Sequence, residues 1–121
     1  MPDHVDVNDV PYTPSRRGVG EEYLVREDDL RVKLTRFKAG DDIPLHRHTD
    51  PKHEKLIVRG NVTFTDSDGT VTTLGEGAMY MCGSGATYYH GKVNEDTIIL
   101  VIESRSSLIE YPPEGESSAK G

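Results

Sequence analysis

The 121-residue chain has one cysteine, no tryptophan, two phenylalanines, and only 14 basic residues against 21 acidic ones. The lone Cys82 excludes an intramolecular disulfide. The net charge of −7 argues against nucleic acid or an anionic membrane surface as the main partner. No apolar run approaches the roughly 20 residues of a membrane span. The first residues, Met1-Pro-Asp-His-Val-Asp, are acidic and lack the apolar core of a signal peptide, so the expectation is a cytoplasmic protein. There is no Gly-rich phosphate loop, no Gly-x-Ser-x-Gly elbow and no Cys-x-x-Cys, so nucleotide-binding, hydrolase and redox-disulfide readings lack support. No stretch of ten residues carries a convincing 3.6-residue apolar period, which removes helices as the main element.

What is present is a succession of short strands. Leu30 to Leu34 alternates apolar and polar residues, the period of a half-buried strand. Short strands are expected at Leu45–His48 and Lys55–Arg59. Val62–Thr65 pairs with Val71–Leu74 through Asp66-Ser-Asp-Gly69, a hairpin signal. Ala78–Cys82 and Thr87–His90 follow. Thr97 to Glu103 is a continuous apolar run, hence a strand buried on both faces. Turns are expected at Gly60-Asn61 and from Gly91 to Asp96, and the acidic residues 21–29 read as a solvated turn. Strands at 8–12-residue spacing with Gly, Pro or Asp between them imply an antiparallel sandwich or barrel. Residues 1–20 read as an extended arm, 21–111 as one domain, and 112–121 as a tail of disordered composition. A composition of 34% hydrophobic and 29% charged residues gives a modest core, and a homodimer is expected to supplement it.

Against this background the histidines stand out. Five occur in the chain, three of them within eight residues: His46, His48 and His53. Alternate strand residues share a face, so His46 and His48 project together. His53 opens the next strand and can return to the same point. His90 comes from a distant strand and can close the site from another side. Imidazole is the commonest biological metal ligand. Four neutral nitrogens would leave a divalent ion its full charge, with two adjacent positions open in an octahedral site. If His53 faces the cavity, strand parity sends Lys55 and Ile57 inward too. Lys55 can then anchor an anion or move a proton. Tyr88 shares parity with His90 and can line the pocket; Arg36 is a weaker pocket candidate.

The stretch Gly40-DDIPL-His46-Arg-His48-TDPK-His53-Glu54-KLIVR-Gly60 resembles the first motif of the cupins: Gly, five residues, His-x-His, three or four residues, Glu, six residues, Gly. His53 stands where the motif has Glu, and Glu54 is one residue late; a bulge would make Glu54 the third ligand instead. In the second motif Gly77, Gly85, His90 and Asn94 correspond, while Gly83 replaces a proline and two extra residues precede His90. The resemblance spans roughly residues 30–103. It implies a conical jelly-roll barrel of two antiparallel sheets, the cupin double-stranded β-helix. Within it, His46, His48, His53 and His90 would hold one divalent transition metal, iron or manganese first, with nickel, zinc or copper as alternatives.

Three functions are consistent with that resemblance. The first is an oxygenase acting on a small oxygenated organic substrate chelated to the metal. The second is a non-redox isomerase, lyase or cyclase with the metal as Lewis acid and Lys55 or a tyrosine moving the proton. The third is a binding module without turnover. An all-histidine site should release its metal as the pH falls through about 6–6.5.

Overall fold

The structure, a computed structural model, describes residues 4–16, 18–49, 53–81 and 88–112. Within these there are nine strands and no helix: β1 (Thr13–Pro14), β2 (Glu21–Glu27), β3 (Leu30–Phe37), β4 (Asp42–His48), β5 (Glu54–Asp66), β6 (Val71–Gly75), β7 (Met79–Met81), β8 (Tyr89–Ser104) and β9 (Ile109–Glu110). All pairings are antiparallel. The all-β, curled-sheet architecture expected from the sequence is what forms. No helix among the described residues is long and apolar enough to cross a membrane.

The curl comes from two long strands that bend together. The second half of β8 pairs with β3 on one side and with the first half of β5 on the other. Its first half pairs with β4 and with the second half of β5. The turns expected at Gly60-Asn61 and from Gly91 to Asp96 would break each of these strands in two. Both run through instead, and their register slips between Ile57 and Val62. Such bulges bend a strand without ending it. At the bend Gly60 adopts φ +111°, and its missing Cβ leaves room for Thr97 and the Asp96 carbonyl.

Residues 21–27 are a strand rather than a solvated turn. Their acidic side chains do not oppose strand pairing, because β2 lies near the sheet edge. Glu21 is there ion-paired to Arg36 on β3 at 2.7 Å. On its other edge β2 takes the end of the N-terminal arm, Thr13 and Pro14. The Arg36 guanidinium lies 4.1 Å from the centre of the Tyr12 ring, so Arg36 serves the barrel exterior and not the pocket.

The apolar run in β8 is explained by its two faces. Ile99 and Val101 point into the barrel and are buried with Phe37, Ile43, Ile57, Val62, Phe64, Tyr89 and Val93. Leu100 occupies the opposite face, in one register row with Tyr23, Leu34, Leu56 and Met79. The inner cluster fills only part of the barrel. Burial of such side chains contributes roughly 1.5–3 kcal/mol each, and the cluster forms a rigid floor on which the polar residues stand. Cys82, Gly83 and Gly85, with the tail from residue 113 onward, lie outside the described residues.

A candidate metal centre

Strand register arranges the interior in layers. On three adjacent strands Thr35, Ile99 and Ile57 form one inward row, and Lys33, Val101 and Lys55 the next. Beyond it Arg31 pairs with Glu103. Continuing the register of β5 past Glu54 and Ile102 brings His53 opposite Glu103 on the other side. The interior therefore changes from apolar, to lysine-bearing, to an Arg31–Glu103–His53 row. His48 comes from β4, across the barrel from that row. In β4 the buried parity changes at a register shift between Ile43 and His46, so that Ile43 and Leu45, then His46 and His48, are all buried.

His48, His53 and Glu103 each offer a ligand atom, and these atoms lie within 4.8 Å of one another, all on buried residues. The imidazoles of His48 and His53 stack with centroids 3.6 Å apart. Glu103 Oε1 lies 3.0 Å from His53 Nδ1 and 3.8 Å from His48 Nδ1. Its other oxygen accepts from Arg31 Nη1 at 2.8 Å and stands 3.8 Å from Lys33 Nζ. Both ring nitrogens of His53 are buried, and neither makes a hydrogen bond of good geometry among the described residues. Buried polar atoms in that state are compatible with an ion or water site. The donor chemistry, two imidazoles and one carboxylate, fits one divalent transition metal.

His46 stands beside this group. Its ring lies 5.0 Å from that of His48 and 4.7 Å from that of Tyr89. Its Nδ1 is 2.6 Å from the Pro44 carbonyl oxygen. A carbonyl can only accept, so Nδ1 carries the proton and Nε2 the lone pair. His90 does not reach the group. Tyr89, not His90, pairs with His46 and faces inward; His90 is turned to the outer face, paired with Thr65. Tyr88 shares that outer face and packs under the Arg47 guanidinium, 4.7 Å from its ring centre. The four-histidine set and the pocket role of Tyr88 therefore do not form; a carboxylate and Tyr89 occupy those places. The physical reason is parity: one residue's shift in register exchanges every side chain between faces. Glu54 is only half-buried and lies in the row of Ile102 and Met81, on the outer face. Lys55 faces inward and is 6% exposed.

Glu103 was missed in the sequence. The signal was available: a lone acid ending an apolar strand, two residues from Val101 and so on the interior face.

The surroundings set the charge of the group. Burial pushes the His53 imidazole down to about 4, against the opposing pull of Glu103 and with help from the Lys55 and Lys33 charges. Burial pushes the Glu103 carboxyl up, but His53, Lys33 and Arg31 outweigh it and hold the carboxyl at about 2. At neutral pH the group offers a neutral imidazole and an anionic carboxylate, both ready to bind a cation. It would neutralise one of a divalent ion's two charges, which the all-histidine set would not.

These shifts have a sign. A histidine depressed to about 4 binds fewer protons folded than unfolded between that value and its ordinary 6.5, so stability falls as the pH drops through this window. The depressed Glu103 acts in the same direction below 4.5. The metal-free protein is expected to lose roughly 2–3 kcal/mol of unfolding free energy between pH 7 and pH 4.5, read by urea denaturation at the two pH values. Metal release should shift to lower pH than at an ordinary histidine, because proton competition at His53 sets in later. A flat stability profile, or metal release at pH 6–6.5, would contradict this arrangement.

No protein-family model matches the sequence, and no curated protein matches it. Solved structures do resemble it. The polyketide cyclase RemF from Streptomyces resistomycificus superposes with a TM-score of 0.79 at 16% identity, covering 97% of this chain and 89% of its own. An RmlC-like cupin protein from Desulfovibrio desulfuricans gives 0.68 at 21% identity, covering 86% and 96%. The salicylate 1,2-dioxygenase from Pseudoaminobacter salicylatoxidans gives 0.67 at 12% identity; the match covers 81% of this chain and 31% of the dioxygenase. At these identities the likeness is one of fold. The chain has the cupin fold.

Proposed function

We propose that this chain is a metal-dependent oxygenase acting on a small oxygen-bearing organic molecule. The observation that carries the reading is the buried group of two histidines and one carboxylate, His48, His53 and Glu103. That donor set, with positions left open, is the one used by non-haem iron(II) oxygenases. Iron or manganese bound there would supply open positions for a substrate oxygen and dioxygen. The chain's own contribution is placement and dryness. Phe37, Ile43, Ile99 and Val101 line the inner cavity and keep bulk water from the group. Arg31 and Lys33 fix the Glu103 carboxylate. Likeness of fold to a dioxygenase is compatible with this reading and does not select it.

A second reading, non-redox isomerase, lyase or cyclase chemistry, is favoured by one contact. Lys55 Nζ, on the wall of the same cavity, donates to the Tyr89 hydroxyl at 2.7 Å, which pairs two proton-carrying groups. The polyketide cyclase likeness accords with it.

Dioxygen separates the two. Protein loaded with Fe(II), and separately with Mn(II), is expected to consume dioxygen in step with substrate loss for at least one member of a panel of 1,3-diketones and catechol-like compounds, each with and without a carboxylate, followed with an oxygen electrode. Substrate turnover at an unchanged rate under strict anaerobiosis would overturn the oxygenase and leave the Lewis-acid reading standing.

A further inference from the structure

Lysine is a costly residue on the floor of a barrel, because its ammonium must leave water. This interior holds two in one layer. Lys33 and Lys55 flank Val101 at the same register, two strand spacings or roughly 10 Å apart. Both line the inner cavity that also contains His48 and His53. Lys55 is the deeper, and its Nζ lies 2.7 Å from the Tyr89 hydroxyl, 4.7 Å from the Tyr89 ring centre and 5.3 Å from that of Phe64. Lys33 is on the way out, 17% exposed, and also lines an outer cavity shared with Arg16 and Arg31.

The two cavities differ greatly in size. The inner one has about 20 Å³ of free space, room for about one or two water-sized atoms such as the oxygens of a terminal carboxylate. The outer has about 510 Å³, enough for the body of a small molecule. Lys33 and Ile109 border both. A ligand reaching the metal group can therefore send only a terminal group inside, past Lys33, to Lys55 and the phenol that Lys55 holds at 2.7 Å. Ammonium and hydroxyl are both donors, and donors of this kind bind a carboxylate best.

We propose that Lys55 and the Tyr89 hydroxyl form a carboxylate subsite beside the metal group, and that the substrate is a small organic acid. The acid would place its carboxylate on Lys55, an adjacent oxygen toward His48, His53 and Glu103, and its remaining atoms in the outer cavity. This names the substrate class of the site proposed above and rests on that reading for its function, though not for its binding chemistry.

The test uses acetate as probe and acetamide as its uncharged counterpart, each titrated by NMR into zinc-loaded and metal-free protein of measured metal content. Wild type is expected to prefer acetate by at least about tenfold in both forms. Lys55→Met should abolish the preference, Lys55→Arg should restore part of it, and Lys33→Met should reduce it less. Tyr89→Phe, which keeps the ring, should weaken acetate about threefold or more. Equal affinities in wild type, or full preference in Lys55→Met, would overturn the subsite. Should Lys55→Met fail to fold, unchanged acetate binding in Tyr89→Phe would overturn it instead. If zinc does not bind while the acetate preference persists and depends on Lys55, the subsite stands and the metal reading falls.

Discussion

Replacing Glu103 by Gln is expected to lower metal affinity by at least about 10–100-fold while the barrel stays folded. The carboxylate is 3% exposed and stands within 4 Å of four groups: Arg31, Lys33, His48 and His53. Glutamine keeps the shape and one acceptor oxygen but removes the charge that a cation would meet. The fold should survive because Arg31 has other partners, the Arg105 carbonyl at 2.7 Å and Glu27 at 3.2 Å. Alanine is a harsher change. It leaves buried donors facing a void, and a cost of about 3 kcal/mol is expected, at the low end for a broken buried pair since Arg31 is partly exposed. Chelator competition gives the affinity, and denaturant unfolding of the metal-free variants gives the stability. Two companions go with it, and of these His90→Ala, which removes a ligand of the four-histidine set alone, decides between the two ligand sets. His53→Ala should lose the metal, leaving less than about one-tenth of an equivalent, whereas His90→Ala should keep full occupancy. Loss of metal in His90→Ala with retention in Glu103→Gln would restore the four-histidine set and remove Glu103 from the site.

The contrast between His90 and Glu103 shows where sequence reasoning reached its limit. The layout of short antiparallel strands followed from Gly, Pro and Asp punctuation, and the inward pairing of His46 with His48 followed from strand alternation. Both are local properties. Lys55 could be placed inside by counting two residues from His53 along one strand. The face chosen by the strand from Tyr88 onward could not be found this way. It depends on the residue at which β8 meets β4, and that pairing shifts register between Ile43 and His46. Spacing to a motif gave His90; cross-strand pairing gave Tyr89. Glu103 belongs to a further class. It is legible only when the parity of the apolar run 97–102 is carried one residue beyond its end. A motif search has no reason to do that, since the first motif spans only residues 40–60.

The bend at Gly60, where the sequence predicts a turn, is expected to be the most sensitive backbone position among the described residues. In Gly60→Ala the new methyl would overlap the Thr97 hydroxyl, lie 2.6 Å from the Thr97 Cα and 2.7 Å from the Asp96 carbonyl oxygen, at φ +111°. Rotating Thr97 away relieves only the first contact; the other two are main-chain atoms of the partner strand. The methyl can be accommodated only by separating β5 from β8 where both strands bend. A loss of more than about 4 kcal/mol is expected, seen as a large drop in the urea midpoint or as failure to fold. Gly77→Ala is the control, because Gly77 has φ +86° with open space around its Cα. It should cost only the roughly 1–2 kcal/mol of left-handed backbone strain, so the difference between the two measures the close approach itself. Thr97→Ala added to Gly60→Ala should not rescue it, and equal costs for Gly60→Ala and Gly77→Ala would show that the strands do not approach as described. The consequence reaches the metal group. The bend carries β5 and β8 from the layer that pairs with β4 into the layer that pairs with β3. It is this crossing that sets His53 and Glu103 opposite His48. A variant folded but loosened at Gly60 should therefore lose metal affinity although residue 60 touches none of the ligands.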